Sequence, residues 1–231
     1  MVYFTGDTHG DIVSFKRRIR KYPLTSSDTL IVAGDFGFSW DNSVYNSWMR
    51  FEKPFRVLFC DGNHENYTRM RKMQTTSLYG DTVGVFGNDT YRLLSGHMYT
   101  IEGEKLFVFG GASSIDKDMR TDPEMVALYG KTWWEEEVPS YKTMDEALET
   151  LERNDWTFSW FLTHTTRPEI KEEILDSAIA FFDPVESMLR AIDEEIENHN
   201  GSYKAWYFGH FHKDYVSNHR YCLYNDIVKA E

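Results

Sequence analysis

Gly6-Asp7-Thr8-His9-Gly10-Asp11 is the stretch from which the rest of the 231-residue chain is read. It follows a short β-prone run, Val2-Tyr3-Phe4-Thr5, and precedes apolar residues at helical spacing, Ile12, Phe15 and Ile19. A carboxylate and an imidazole two residues apart at a strand end form a pincer for a metal ion. The flanking glycines let the backbone turn and a ligand come close. Alone, the fragment reads equally well as a helix cap beside a surface imidazole. Four later fragments change that balance. Thr29-Leu30-Ile31-Val32-Ala33 is an apolar strand ending in Gly34-Asp35-Phe36-Gly37, and Arg56-Val57-Leu58-Phe59-Cys60 ends in Asp61-Gly62-Asn63-His64-Glu65. Phe158-Ser159-Trp160-Phe161-Leu162 ends at Thr163-His164, and Ala205-Trp206-Tyr207-Phe208 ends in Gly209-His210-Phe211-His212. Open α/β sheets place their ligand sites at such C-terminal strand ends.

Between these fragments, β segments at 91–94, 97–101 and 105–109 predict a meander of hairpins. Residues 112–140 are expected to form an irregular insert. Ser140 is placed to cap a helix over 141–153, with Met144, Ala147, Leu148 and Leu151 on one face. Two acidic helices follow His164, and the second, near 184–199, is expected to bury Val185, Met188, Leu189, Ile192 and Ile196. Strands around Tyr215 and 221–223 close the chain. With no repeat, low-complexity linker or boundary, residues 1–231 are expected to form one domain.

A hydrophobic fraction of 41%, with 16% aromatic, supports a buried core and excludes a disordered chain. No apolar run approaches the ~18 residues of a membrane span, and no signal segment stands at the N-terminus. Cys60 and Cys222 lie in apolar runs and read as buried, reduced thiols of a cytoplasmic protein. The formal charge of −12 argues against non-specific nucleic-acid binding, so nucleic acid enters only as a substrate. The basic run Lys16-Arg17-Arg18-Ile19-Arg20-Lys21 winds around a short helix and reads as a solvated face.

The ordered set Gly-Asp-x-His-Gly, Gly-Asp, Gly-Asn-His-Glu, a strand-end His and Gly-His-x-His resembles the calcineurin-like metallophosphoesterase superfamily, from Asp7 to His212. The stretch Gly110-Gly111-Ala112-Ser113-Ser114-Ile115-Asp116, with Trp133-Trp134-Glu135-Glu136, resembles small bacterial and phage phosphoesterases within it. The resemblance implies a four-layer α-β-β-α sandwich of two mixed sheets and a dinuclear site of Mn, Fe, Zn or Ni. Asp7, His9 and His212 would hold the first ion and Asn63, His164 and His210 the second, with Asp35 bridging. Such oxygen and nitrogen donors suit these metals. A hydroxide held between the ions would attack phosphorus, and His64 would be the general acid. Glu65 would orient His64 or a neighbouring amide, while Asp11 and Asp61 read as cap and turn residues.

The resemblance implies metal-dependent hydrolysis of a phosphomonoester or phosphodiester. Arg120, Trp134 and Arg167 are candidate substrate contacts; Trp133 and Trp134 fit a substrate wall or simple packing of the insert. A nuclease or cyclic-nucleotide phosphodiesterase would need an open groove with basic walls, which the acidic composition does not advertise. A serine/threonine protein phosphatase would need the second acid and the Arg-Gly of its usual fragment, but Phe38 stands at the acid position and no Arg-Gly follows. A non-catalytic scaffold generally lacks some ligands, and none is missing here.

Overall fold

A computed structural model describes residues 1–175 and 181–231. Strand β1 (Val2–Thr5) leads through the Asp7 loop into helix α1 (Ile12–Ile19), whose Asp11 carboxylate accepts from the Val13 and Ser14 N–H groups. Strand β2 (Thr29–Val32), helix α2 (Asn42–Met49), strand β3 (Arg56–Phe59) and the single-turn helix α3 (Tyr67–Met70) repeat the scheme. These three strands are parallel, with Thr5 opposite Val32 and Val32 opposite Phe59, so they finish level with one another. Strands β4 (Thr75–Leu78), β5 (Asp81–Val85) and β6 (Thr90–Leu93) then extend the sheet beyond β3.

The chain next crosses to a second sheet. Strands β7 (His97–Ile101) and β8 (Glu104–Phe109) form a hairpin there. Helices α4 (Lys117–Thr121), α5 (Pro123–Tyr129) and α6 (Tyr141–Glu152) precede strand β9 (Trp160–Thr163). Helices α7 (Pro168–Ile174) and α8 (Pro184–Asn198) precede strand β10 (Ala205–Phe208), then β11 (Tyr215–Ser217) and β12 (Arg220–Cys222). The last strand, β13 (Ile227–Lys229), returns to pair antiparallel with β1. The sheets are ordered β13-β1-β2-β3-β6-β5-β4 and β11-β12-β10-β9-β8-β7. Each has four parallel strands at its centre and antiparallel strands at its edges.

Alternation along the strands builds the layers. Phe4, Ile31, Leu58, Leu106, Val108, Leu162 and Tyr207 meet between the sheets. Leu30, Val32, Val57 and Phe59 point outward under Phe15 of α1 and Trp48 of α2. On the other side Phe107, Phe161, Trp206 and Phe208 lie under Ala147 and Leu151 of α6 and Leu189, Ile192 and Ile196 of α8. The architecture is therefore α-β-β-α. Strands covered on both faces read as continuous apolar runs, which is why they were legible.

Several expectations need correction. The meander is broken, because β6 pairs in parallel with β3 in the first sheet while β7 opens the second. Helix α2 was missed because its sequence, NSVYNSWM, buries only Trp48. The hairpin of β4 and β5 was missed because its first strand is largely exposed and polar. Its turn, Tyr79-Gly80, has positive φ at both residues, the geometry that suits two-residue hairpins. The insert is not structureless: it contains α4, α5 and a single 3-10 turn at Glu135–Glu137. β12 does not close the chain, since β13 follows. No described helix is long and apolar enough to cross a membrane.

Candidate metal centre

The C-terminal ends of β1, β2, β3, β9 and β10 meet on one rim, bringing together every side chain that the five fragments single out. His9 Nε2 lies 3.0 Å from His212 Nε2, and Asp7 Oδ2 lies 3.1 Å from His212 Nε2 and 3.6 Å from His9 Nε2. Beside this triangle, His164 Nε2 is 3.0 Å from Asn63 Oδ1 and 3.3 Å from Asp35 Oδ1. The other Asp35 oxygen faces His9 Nδ1 at 3.7 Å. The His210 ring packs edge-on to His164, with centroids 5.0 Å apart.

Local backbone geometry explains this convergence. His9, Asp35, His210 and His212 all have φ between 46° and 69°. The left-handed region costs a non-glycine residue about 1–3 kcal/mol, so the surrounding contacts must hold these residues there. Asp7 Oδ1 accepts from the His210 N–H (2.9 Å) and Asp35 Oδ1 from the His64 N–H (2.7 Å), tying each carboxylate to another strand end. The glycines before Asn63 and His210 make room for those carboxylates. A Cβ on Gly62 would sit 2.1 Å from Asp35 Oδ1, and one on Gly209 would sit 2.2 Å from Asp7 Oδ1.

Three supporting residues lie behind the rim. Arg18, expected on a solvated face, is buried and donates to Thr5 Oγ1, Gly6 O and Asp7 O, holding the end of β1. Its hydrogen-bond partners are backbone and hydroxyl groups at the end of β1, so helical spacing within the basic run gave no sign of them. Glu65 accepts from the Phe36 and Gly37 N–H groups and from Ser39, so it orients the loop after Asp35 rather than His64. Asp61 is more than a turn residue: it takes a bidentate ion pair from Arg92, at 2.7 and 2.5 Å.

The donor set fits metal ions. Donors ~2.1 Å from a shared ion stand ~3.0 Å apart in an octahedron and ~3.4 Å apart in a tetrahedron. The Asp7-His9-His212 triangle spans that range. Asp7 Oδ2 is buried and no described group donates a hydrogen bond to it with good geometry. Two imidazole nitrogens facing at 3.0 Å share at most one proton, whereas a cation satisfies both lone pairs. Asp7, Asp35 and His164 form a second group whose donor atoms lie within 4.8 Å of one another.

The electrostatics agree. Burial pushes Asp35 towards neutrality, but the imidazoles of His164, His64 and His9 overcome it and hold the carboxylate ionised. Burial also opposes charge on His164, yet Asp35 raises its pKa from 6.5 to about 10. In the metal-free protein this pairing contributes stability that is present below pH 6.5 and is lost as pH rises through about 10. To hold an ion, His164 Nε2 would have to give up that proton. We therefore expect roughly one proton released at neutral pH per ion bound beside His164, and affinity that rises with pH. Calorimetric titration in two buffers of different ionisation enthalpy measures this directly.

The other candidate residues lie as follows. His64 is half-buried, its ring edge-on to His9 with centroids 5.3 Å apart; burial lowers its pKa. Arg120 is buried in the insert, donating to Ser114 Oγ and Thr132 O. Arg167 is engaged by Asp193 and Glu169 at 2.7 and 2.9 Å, ion pairs that tie it to α8 and α7. Trp134 is only 3% exposed; it donates to Thr68 Oγ1 and packs edge-on to Trp40, so it has no free face for a substrate. Its removal is expected to cost about 3–5 kcal/mol of stability, read by denaturant unfolding. Trp133, by contrast, lines a cleft of about 1180 Å³ together with Ser113, Lys117 and Tyr141. Trp133→Ala is expected to raise KM severalfold, measured by steady-state kinetics.

Carboxylate and imidazole donors converging at the strand ends of a two-sheet sandwich form a site suited to divalent metal ions. The family model for calcineurin-like phosphoesterases matches residues 1–214, and the chain belongs to that family. The family's chemistry is metal-dependent hydrolysis of phosphate esters, and its members bind divalent metals. No curated protein matches the chain.

Proposed function

We propose that the chain hydrolyses a phosphomonoester or phosphodiester at this rim with two divalent ions, drawn from Mn, Fe, Zn and Ni. Asp7, His9 and His212 would hold one ion, and Asn63, His164 and His210 the other. Asp35 would serve both, because one of its oxygens faces His9 and the other His164. Bound there, such ions supply an activated water and take up charge on the phosphoryl oxygens. The Ala33 carbonyl, 2.8 Å from His164 Nδ1, fixes that ring so that Nε2 faces the site. His64 needs no ion: its ring stands beside His9, and an incoming phosphate anion favours its protonated form. It would then give its proton to the leaving oxygen.

The observation that carries this reading is the buried, unpartnered Asp7 Oδ2 facing two imidazole nitrogens. The protein-phosphatase reading is less favoured, since Phe38 is fully buried against Phe36 and Trp48 and leaves no charged group at that position. Both cysteines are free and buried, which suits a reducing compartment such as the cytoplasm. Hydrolysis of p-nitrophenyl phosphate and of its bis ester, compared across Mn, Ni, Zn, Fe and Mg, tests the proposal and separates ester classes. Turnover that depends on an added ion is expected. Silence towards both esters with every ion would count against it.

A further inference from the structure

An asparagine can turn either end of its amide towards a metal, and only the oxygen end binds. For Asn63 the orientation that His164 favours from within the rim is also fixed from outside it, in the insert. Asn63 Nδ2 donates to Ser114 Oγ at 3.2 Å, while Asn63 Oδ1 faces His164 Nε2. The Ser114 hydroxyl has one proton and two lone pairs. It donates the proton to Glu137 Oε2 at 2.8 Å and accepts from Arg120 Nη1 at 2.6 Å. A guanidinium can only donate, and the Glu137 carboxylate, whose pKa burial raises, accepts from the Ser114 and Trp133 N–H groups as well as from the hydroxyl, so these partners fix the hydroxyl's direction. What remains towards Asn63 is a lone pair, which accepts from the amide NH2 group and repels the amide oxygen. Flipping Asn63 would set two oxygens against each other.

Water does not relieve that conflict, because Ser114, Arg120 and Glu137 are each at most 7% exposed. The supporting groups are themselves anchored. Glu137 Oε1 accepts from the Ser114 N–H (2.7 Å) and from Trp133 Nε1 (2.8 Å), and Arg120 Nη2 donates to Thr132 O. We infer that Ser114, with Arg120 and Glu137 behind it, is a positioning device that locks the polarity of the Asn63 amide so that its oxygen faces the metal site. The inference rests on the proposed role of Asn63. It gives the insert a part in ion binding although it contributes no ligand, and it accounts for buried Arg120 without a phosphate contact.

The test titrates Mn²⁺ into the metal-free full chain by calorimetry. Ser114→Ala should weaken one of two binding events by about 10–100-fold and leave the other unchanged. Ser114→Thr keeps the hydroxyl and should restore the event. Glu137→Gln can either donate to Ser114 or accept from it, which frees the hydroxyl's direction, so it should weaken the same event severalfold. If Ser114→Ala does not fold, the Glu137→Gln titration decides. Wild-type affinity in Glu137→Gln, or equal weakening of both events in Ser114→Ala, would overturn the inference. Asn63→Ala separates this inference from the site itself. If Asn63→Ala loses the event but Ser114→Ala keeps it, only the positioning role fails. If Asn63→Ala keeps both events, the ion-holding role of Asn63 fails, and the inference with it.

Discussion

Asp35→Asn is expected to reduce turnover to background and to weaken both ions together, by more than the ~10–100-fold that follows loss of an outer hydrogen bond. The substitution hardly changes shape but removes the carboxylate whose two oxygens face His9 and His164. It also sets an amide against donors that a carboxylate satisfies. Asp35 Oδ1 accepts from the His64 N–H, so an NH2 group there would oppose it, while an NH2 at the other end would face His9. Without the charge, His164 loses the group that holds its proton, and its pKa should fall from about 10. Metal content, turnover and the His164 titration, followed by NMR, should move together. Full occupancy with near-normal turnover in the variant would overturn the assignment.

His64→Ala is expected to separate a proton donor from a ligand. The variant should keep both ions and lose roughly 10²–10⁴ in rate on an ester with a poor leaving group. With p-nitrophenolate leaving, little protonation is needed and the loss should be much smaller. Equal losses on both esters, with an emptied site, would show that His64 binds metal. The geometry favours the first outcome: the Asp35 carboxylate takes the His64 backbone N–H, and its ring lies against His9 rather than among the His164 donors.

The rim was legible because its information is local. Four of the five fragments join an apolar strand to a glycine and a polar residue, the fifth runs straight into Thr163-His164, and in each the two halves of the signature are contiguous in sequence. The left-handed backbone at His9, Asp35, His210 and His212 was foreshadowed only by neighbouring glycines. Contacts between distant residues were not legible. Arg18 reads as one more cation in a basic run, yet it braces the end of β1. Ser114 and Glu137 are separated by 23 residues and meet only because the insert folds back on itself. Trp134 and Trp133 are chemically alike in sequence, but one is buried against Trp40 and the other lines the cleft. The same limit applies to β6, whose apolar pattern is compatible with either sheet; long-range pairing with β3 decides its place.

On the proposed mechanism, this rim would hold two ions and hydrolysis would depend on both. Metal-stripped protein titrated with Mn²⁺, with bound ions counted and p-nitrophenyl ester hydrolysis followed in the same samples, tests it most directly. Two ions per chain, turnover that rises with the second, and loss of both in Asp35→Asn are expected. Full turnover with a single bound ion, or two bound ions that survive in Asp35→Asn, would contradict it.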